Sequence, residues 1–252
     1  MSSSVGSIAA LQKRVGEMLP SLSKAEAQVL GLLSFGILML NGCGISRLSN
    51  GLAKIEQVPA GRLRQRLREF CYEAGAKRGK KRREVKVEGC FADLLRAVLR
   101  GWEGKKELAL AMDAMTLGER FTVLSISVMY RGCGIPIAWK IIPAMQEGQW
   151  RPHWEGLLAA LEGVVPSDWK VILMADRGLY APWLYRGIQR LGWHGSAARQ
   201  RGPEFSDRWR RAVQSNGHAG EATWSWMEWK GRVERTWGAD ARNRAYSLGK
   251  RV

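Results

Sequence analysis

Two stretches, Leu108-Ala-Leu-Ala-Met-Asp113 and Val171-Ile-Leu-Met-Ala-Asp176-Arg-Gly178, decide how the chain is read. In each, a short apolar run without helical period ends in one carboxylate. That is the pattern of a buried strand delivering an acid to a sheet edge. Either aspartate alone is equally a turn starter or a helix cap. Two of them, 63 positions apart, point to one shared site on neighbouring strands.

The segments around them build a mixed α/β core. A helix over 88–100 carries Phe91, Leu94, Leu95, Val98 and Leu99 on one side and is expected to lean on the sheet. The Asp113 strand is followed by strands at 121–130 and 135–142, joined through Arg131-Gly-Cys-Gly134, which predicts an antiparallel meander. A helix over 149–161 should face Trp150, Trp154, Leu157, Leu158 and Leu161 inward. The run 170–175 is uninterrupted in its apolarity, so it reads as a central strand. A helix over 181–191 stops at Gly192, and a short strand over 193–198 closes the unit. The predicted order is three strands, helix, strand, helix, strand.

The amino-terminal part is helical. Ser23 with Glu26 three residues on has capping-box spacing and opens a helix that runs to Leu40 and stops at Asn41-Gly42. Its most apolar part, Val29 to Leu40, is too short to span a bilayer and reads as a buried helix. A second helix covers 45–53. After Pro59, the stretch 62–72 sets Leu63, Leu67, Phe70 and Cys71 at helical spacing and spreads Arg62, Arg64, Arg66 and Arg68 over the other faces. This has the form of a small helical DNA-binding module of helix-turn-helix type, or of a solvated basic helix. The window Lys77-Arg-Gly-Lys-Lys-Arg-Arg83 repels itself and reads as a linker in which Lys80, Lys81, Arg82 and Arg83 meet backbone phosphates. The expected division is therefore 1–76, a basic linker at 77–86, a core at 87–200 and a β-rich tail at 201–252.

Composition narrows the partners. Forty Lys and Arg against 23 Asp and Glu give +17 over 252 residues, so a polyanion, nucleic acid first, is the natural partner, with an acidic membrane surface behind it. The four cysteines form no CxxC pair, which argues against a zinc ribbon or a disulfide framework and for reduced cytoplasmic thiols. His153, His194 and His218 show no zinc spacing, and there is no GxxxxGK[ST] loop for a nucleotide. Trp224, Trp226 and Trp229, near arginines, are either core aromatics or stacking partners for bases.

The Ala111-Met-Asp113 strand end with its meander, the Ile137-Ala-Trp-Lys-Ile-Ile-Pro143 strand, and Met174-Ala-Asp176-Arg-Gly-Leu-Tyr180 with Leu191-Gly-Trp-His194 together resemble bacterial insertion-sequence transposases of the DDE type. They are most similar to the insertion-sequence-four branch, and the resemblance covers roughly residues 20 to 240. It implies a ribonuclease-H-like core behind a helical DNA-binding region, followed by the start of a β-rich insertion. It further implies a bacterial cytoplasmic, nucleoid-associated protein that acts on duplex DNA at the ends of its own element, as a homodimer. Asp113 and Asp176 are implied to hold Mg2+ or Mn2+, as two ions about 4 Å apart in two-metal sites. Arg177 is implied to neutralise the acids, to contact DNA, or to form a local ion pair. The family's third acid lies in a Tyr-x2-Arg-x3-Glu-x6-Lys string, which does not occur after Asp176. Glu221, Glu228 and Glu234 are the late glutamates, and none has that context. The expectation is an amino-terminal part of a transposase, inactive by itself, or a DNA-binding remnant that regulates without catalysis.

Overall fold

Helix α2 (Lys24–Leu40) begins where its capping box predicts. The Ser23 amide donates to Glu26 Oε2 at 2.8 Å, and the Glu26 amide donates back to Ser23 Oγ at 3.4 Å. Burial pushes the Glu26 carboxyl up, but the bonds from the Ser23 hydroxyl and amide, helped by the nearby charges of Arg83 and Lys77, outweigh it and hold it below 4.5. At the other end Asn41 takes the left-handed conformation, φ 48°, as a C-terminal stop. The computed structural model describes residues 2–77, 83–130, 133–144, 150–175, 179 and 181–197. The chain divides into two units, Met1–Trp102 and Glu103–Val252. The described residues form seven α-helices and one five-stranded mixed sheet.

The first unit is helical. Besides α2 it holds α1 (Ser2–Met18), α3 (Ile45–Glu56), α4 (Ala60–Phe70) and α5 (Phe91–Arg100). Leu32, Leu48, Leu52, Leu63 and Leu67 from α2, α3 and α4 form its main core. Each such buried side chain contributes about 1.5–3 kcal/mol relative to exposure. The two glycines of the apolar run explain its composition. A Cβ at Gly31 would lie 2.7 Å from the Gln12 Cα of α1, and one at Gly36 would lie 3.0 Å from Leu52 of α3. Small residues thus let α2 approach both neighbours. The run is not buried throughout, because Leu38 is 76% exposed and Met39 59%.

Helix α5 belongs to the helical unit. There Asp93 accepts from the Ser21 amide at 3.1 Å and pairs with Arg96, while Cys90, just before the helix, joins Val15, Leu19 and Ala27. An amphipathic stripe says that a helix buries a face, not which neighbour covers it. The two compact units adjoin in sequence between Trp102 and Glu103.

The second unit carries β1 (Glu107–Leu117), β2 (Phe121–Tyr130), β3 (Cys133–Pro143), α6 (Arg151–Ala159), β4 (Lys170–Ala175), α7 (Pro182–Arg190) and β5 (His194–Ala197). The element order is the one read from the sequence. In space the strands run β3-β2-β1-β4-β5, with β1 antiparallel to β2 and parallel to β4. Helix α7 ends in a Schellman motif: Gly192 sits at φ 71°, its amide donates to the Gln189 carbonyl, and the Trp193 amide donates to that of Ile188. On α6, Trp154, Leu157 and Leu158 are buried, as is Leu161 just beyond it, whereas Trp150 precedes the first turn and is exposed, against expectation.

Candidate functional site

Burial along β1 stops at one residue. Leu108, Ala109, Leu110 and Met112 are buried, whereas Asp113 and residues 115–117 are exposed. Among the described residues the parallel ladder with β4 reaches Met112 paired with Ala175. Strand β1 itself goes on. Asp113 pairs with Ser125, and the antiparallel ribbon with β2 runs four residues further, to Leu117 opposite Phe121. The carboxylate therefore stands within a strand that stays paired with β2, not at the end of its own strand as the apolar run suggests.

The ribbon beyond that point presents an unusual face. Alternate residues share a side of a sheet, so Asp113, Met115 and Leu117 are aligned. Cross-strand pairing adds Ser125 and Trp139 beside Asp113, Val123 and Ile141 beside Met115, and Phe121 and Pro143 beside Leu117. Met115, Leu117, Phe121 and Ile141 are exposed, and the Arg120 guanidinium lies 5.4 Å from the Phe121 ring centroid. The acid thus borders an apolar, cation-tipped ribbon. The Ser125 hydroxyl donates to the Asp113 main-chain carbonyl at 3.5 Å, which leaves the carboxylate oxygens to solvent.

Asp176 and Arg177 lie outside the described residues, as do Lys80, Lys81, Arg82, the tryptophans at 224, 226 and 229, and Glu221, Glu228 and Glu234. Among the described residues no three His, Cys, Asp or Glu side chains gather as a metal-binding group. Arg83 is exposed, and its carbonyl accepts a bond from Lys77 Nζ, so the two described ends of the basic run meet.

The basic helix is a separate surface in the other unit. Helix α4 follows α3 through Gln57-Val58-Pro59, a three-residue turn with Gln57 at φ 54°. Its buried side is Leu63 and Leu67. Arg62, Arg64 and Arg68 are exposed and Arg66 is half-buried. None of the four has a carboxylate partner among the described residues. Gln65, also exposed, is the residue that a search for charges passes over. Its place opposite Leu63 and Leu67 on the helical repeat is the signal that finds it.

No family model matches the chain, and no curated protein matches it. Among solved structures it is similar to one described as the crystal structure of the Mos1 strand transfer complex, at 12% identity and a TM-score of 0.26, over 81% of this chain and 69% of that one. A likeness of that degree leaves the functional reading to rest on the chain's own residues.

Proposed function

We propose that this chain is a DNA-processing protein of the transposase type, which holds duplex DNA through α4 and uses Asp113 and Asp176 for metal-dependent phosphoryl transfer. The observation that carries the reading is the β1–β4 register, whose last pair is Met112 with Ala175. Asp113 and Asp176 are the residues that follow Met112 and Ala175 in the sequence. Two Cα steps of about 3.8 Å and one interstrand spacing of about 4.8 Å bound their Cα separation at roughly 12 Å, by covalent and ladder geometry alone. The register thus supports convergence of the two acids on one site. The strand order, with a meander beside two parallel strands, is consistent with the ribonuclease-H-like core that the resemblance implies.

The donor set suits a hard cation. Asp113 offers exposed carboxylate oxygens on a paired strand, which is what Mg2+ or Mn2+ prefers and what a rigid site requires. A divalent ion held by Asp113 and Asp176 would polarise a phosphoryl oxygen and lower the pKa of an attacking hydroxyl. Asp113 itself would fix the ion at the mouth of the sheet, and Arg177 would offset charge nearby.

The experiment is Mn2+ binding to the full chain, read by electron paramagnetic resonance, beside Mn2+-dependent nicking of duplex ends. Asp113→Asn and Asp176→Asn are each expected to weaken Mn2+ binding at least tenfold. Equal Mn2+ binding by wild type and by the double variant would sink the catalytic half. Salt-sensitive duplex binding that survives alongside that result would instead assign the chain a DNA-binding role without chemistry.

A further inference from the structure

Helix α4 carries more than positive charge. At 100° per residue, Leu63, Leu67 and the half-buried Phe70 define the side that packs on α2 and α3. Gly61, Gln65 and Arg68 fall within about 50° of the opposite direction, while Arg62 and Arg64 sit about 70–90° away on the two flanks. All five are exposed, and a Cβ built on Gly61 meets nothing within 4 Å. The outermost line of the helix therefore holds a residue without a side chain, an amide and a guanidinium, bordered on each side by an arginine.

Gln65 is held in a defined pose. Its Nε2 donates to Glu69 Oε1, one turn on. That bond uses one of the two amide hydrogens and leaves the other, together with the carbonyl Oε1, for a second partner. A donor and an acceptor side by side match the N7 and N6 edge of adenine in the major groove, as the fork of an arginine matches O6 and N7 of guanine. Gln65 and Arg68 are three residues apart, about 4.5 Å along the axis, close to the step between successive base pairs.

We infer that the Gly61–Gln65–Arg68 line of α4 reads base edges in the major groove, Gln65 an adenine and Arg68 a neighbouring guanine, while Arg62 and Arg64 clasp the phosphates on either wall. The inference rests on the duplex-binding reading of α4 above and adds sequence discrimination to it. Gly61 allows the first turn to enter the groove closely, and the flanking arginines set the register of the helix without themselves carrying sequence information.

The test is selection of duplexes from a random library by the full-length chain, followed by affinity titrations at several salt concentrations. Wild type is expected to enrich a motif with adjacent adenine and guanine positions. Gln65→Ala should lose preference at the adenine alone, roughly 5- to 150-fold, with affinity for unrelated duplexes unchanged. Arg62→Ala with Arg64→Ala should weaken every duplex alike and lower the slope of log affinity against log salt by about 2. No enrichment by wild type, or an unchanged motif in Gln65→Ala, would overturn base reading while leaving duplex binding in place. Unchanged duplex affinity and salt slope in the double arginine variant, or tighter binding to anionic vesicles than to duplex, would overturn the reading of α4 as a DNA-binding surface as well. Since all these side chains are exposed, circular dichroism of each variant should match wild type.

Discussion

The two units solve the same packing problem in opposite ways, and their functional groups follow suit. The helical unit brings α-helices together at points where a side chain is missing, Gly31 against α1 and Gly36 against α3. The sheet unit fills its space with large groups, Trp154 and Leu161 among them. On the helices the candidate contacts are several exposed arginines, none tied to one position by a partner. On the sheet the candidate is one carboxylate whose place is fixed by strand register. Charge on a helix surface is therefore expected to act by degrees, whereas an acid at a register position is all or nothing.

Substitutions can break or sharpen this contrast. The largest effect is expected from Trp154→Ala, which empties the space of a side chain only 1% exposed and should destabilise the sheet unit by about 3–5 kcal/mol. If the helical unit folds by itself, duplex binding should outlast the sheet's unfolding in urea. A single transition lost in one step would argue otherwise. Trp154→Phe is a milder counterpart, since the indole Nε1 has no hydrogen-bond partner among the described residues and its removal strands nothing.

Next comes Gly31→Ala. The added methyl meets main-chain and side-chain atoms of Gln12 at 2.7–3.0 Å, so α1 must shift, at a cost of about 1–3 kcal/mol in thermal melts. Ser23→Ala should cost about 1 kcal/mol by removing the cap of α2. It also has a pH signature. The Glu26 carboxyl is held below 4.5 in the folded chain, so its contribution is complete above that value and is lost as pH falls through the lower, folded-state value. Melts between pH 3 and 7 should show the helical unit of wild type losing this increment on acidification, and Ser23→Ala losing less. The smallest effect is a gain: Gly156→Ala, in the exposed middle of α6 with open space around it, should stabilise by about 0.5–1 kcal/mol. Gly31 is thus a packing device in one unit, and Gly156 a plain weakness in the other.

Local chemistry makes much of this legible. The Ser23 and Glu26 pair marks α2 because both partners lie within one turn. Gly192 marks the end of α7 because only a glycine takes φ 71° without strain. The strands are legible from their apolar runs and short connections. What escapes are facts about neighbours. The apolar run ending at Asp113 shows where burial stops, yet strand pairing continues to Leu117 on main-chain bonds that the side chains do not advertise. The stripe of α5 carries no address, and the bond from the Ser21 amide to Asp93 is one that only the structure shows. Of the candidate positions, the change of burial at Asp113 is legible in its apolar run, whereas the outward place of Gln65 becomes visible only once the buried side of α4 is known.

One detail of β3 bears on how copies of this chain can meet. It is an outer strand of the described sheet, Pro136 sits within it opposite Ser127, and the pairing slips by one residue there, between Ile126 and Ser127. A proline offers no amide hydrogen, and a bulge bends the rim. A second copy trying to continue the described sheet along that rim would find its rungs interrupted midway, so strand addition is blunted on this side.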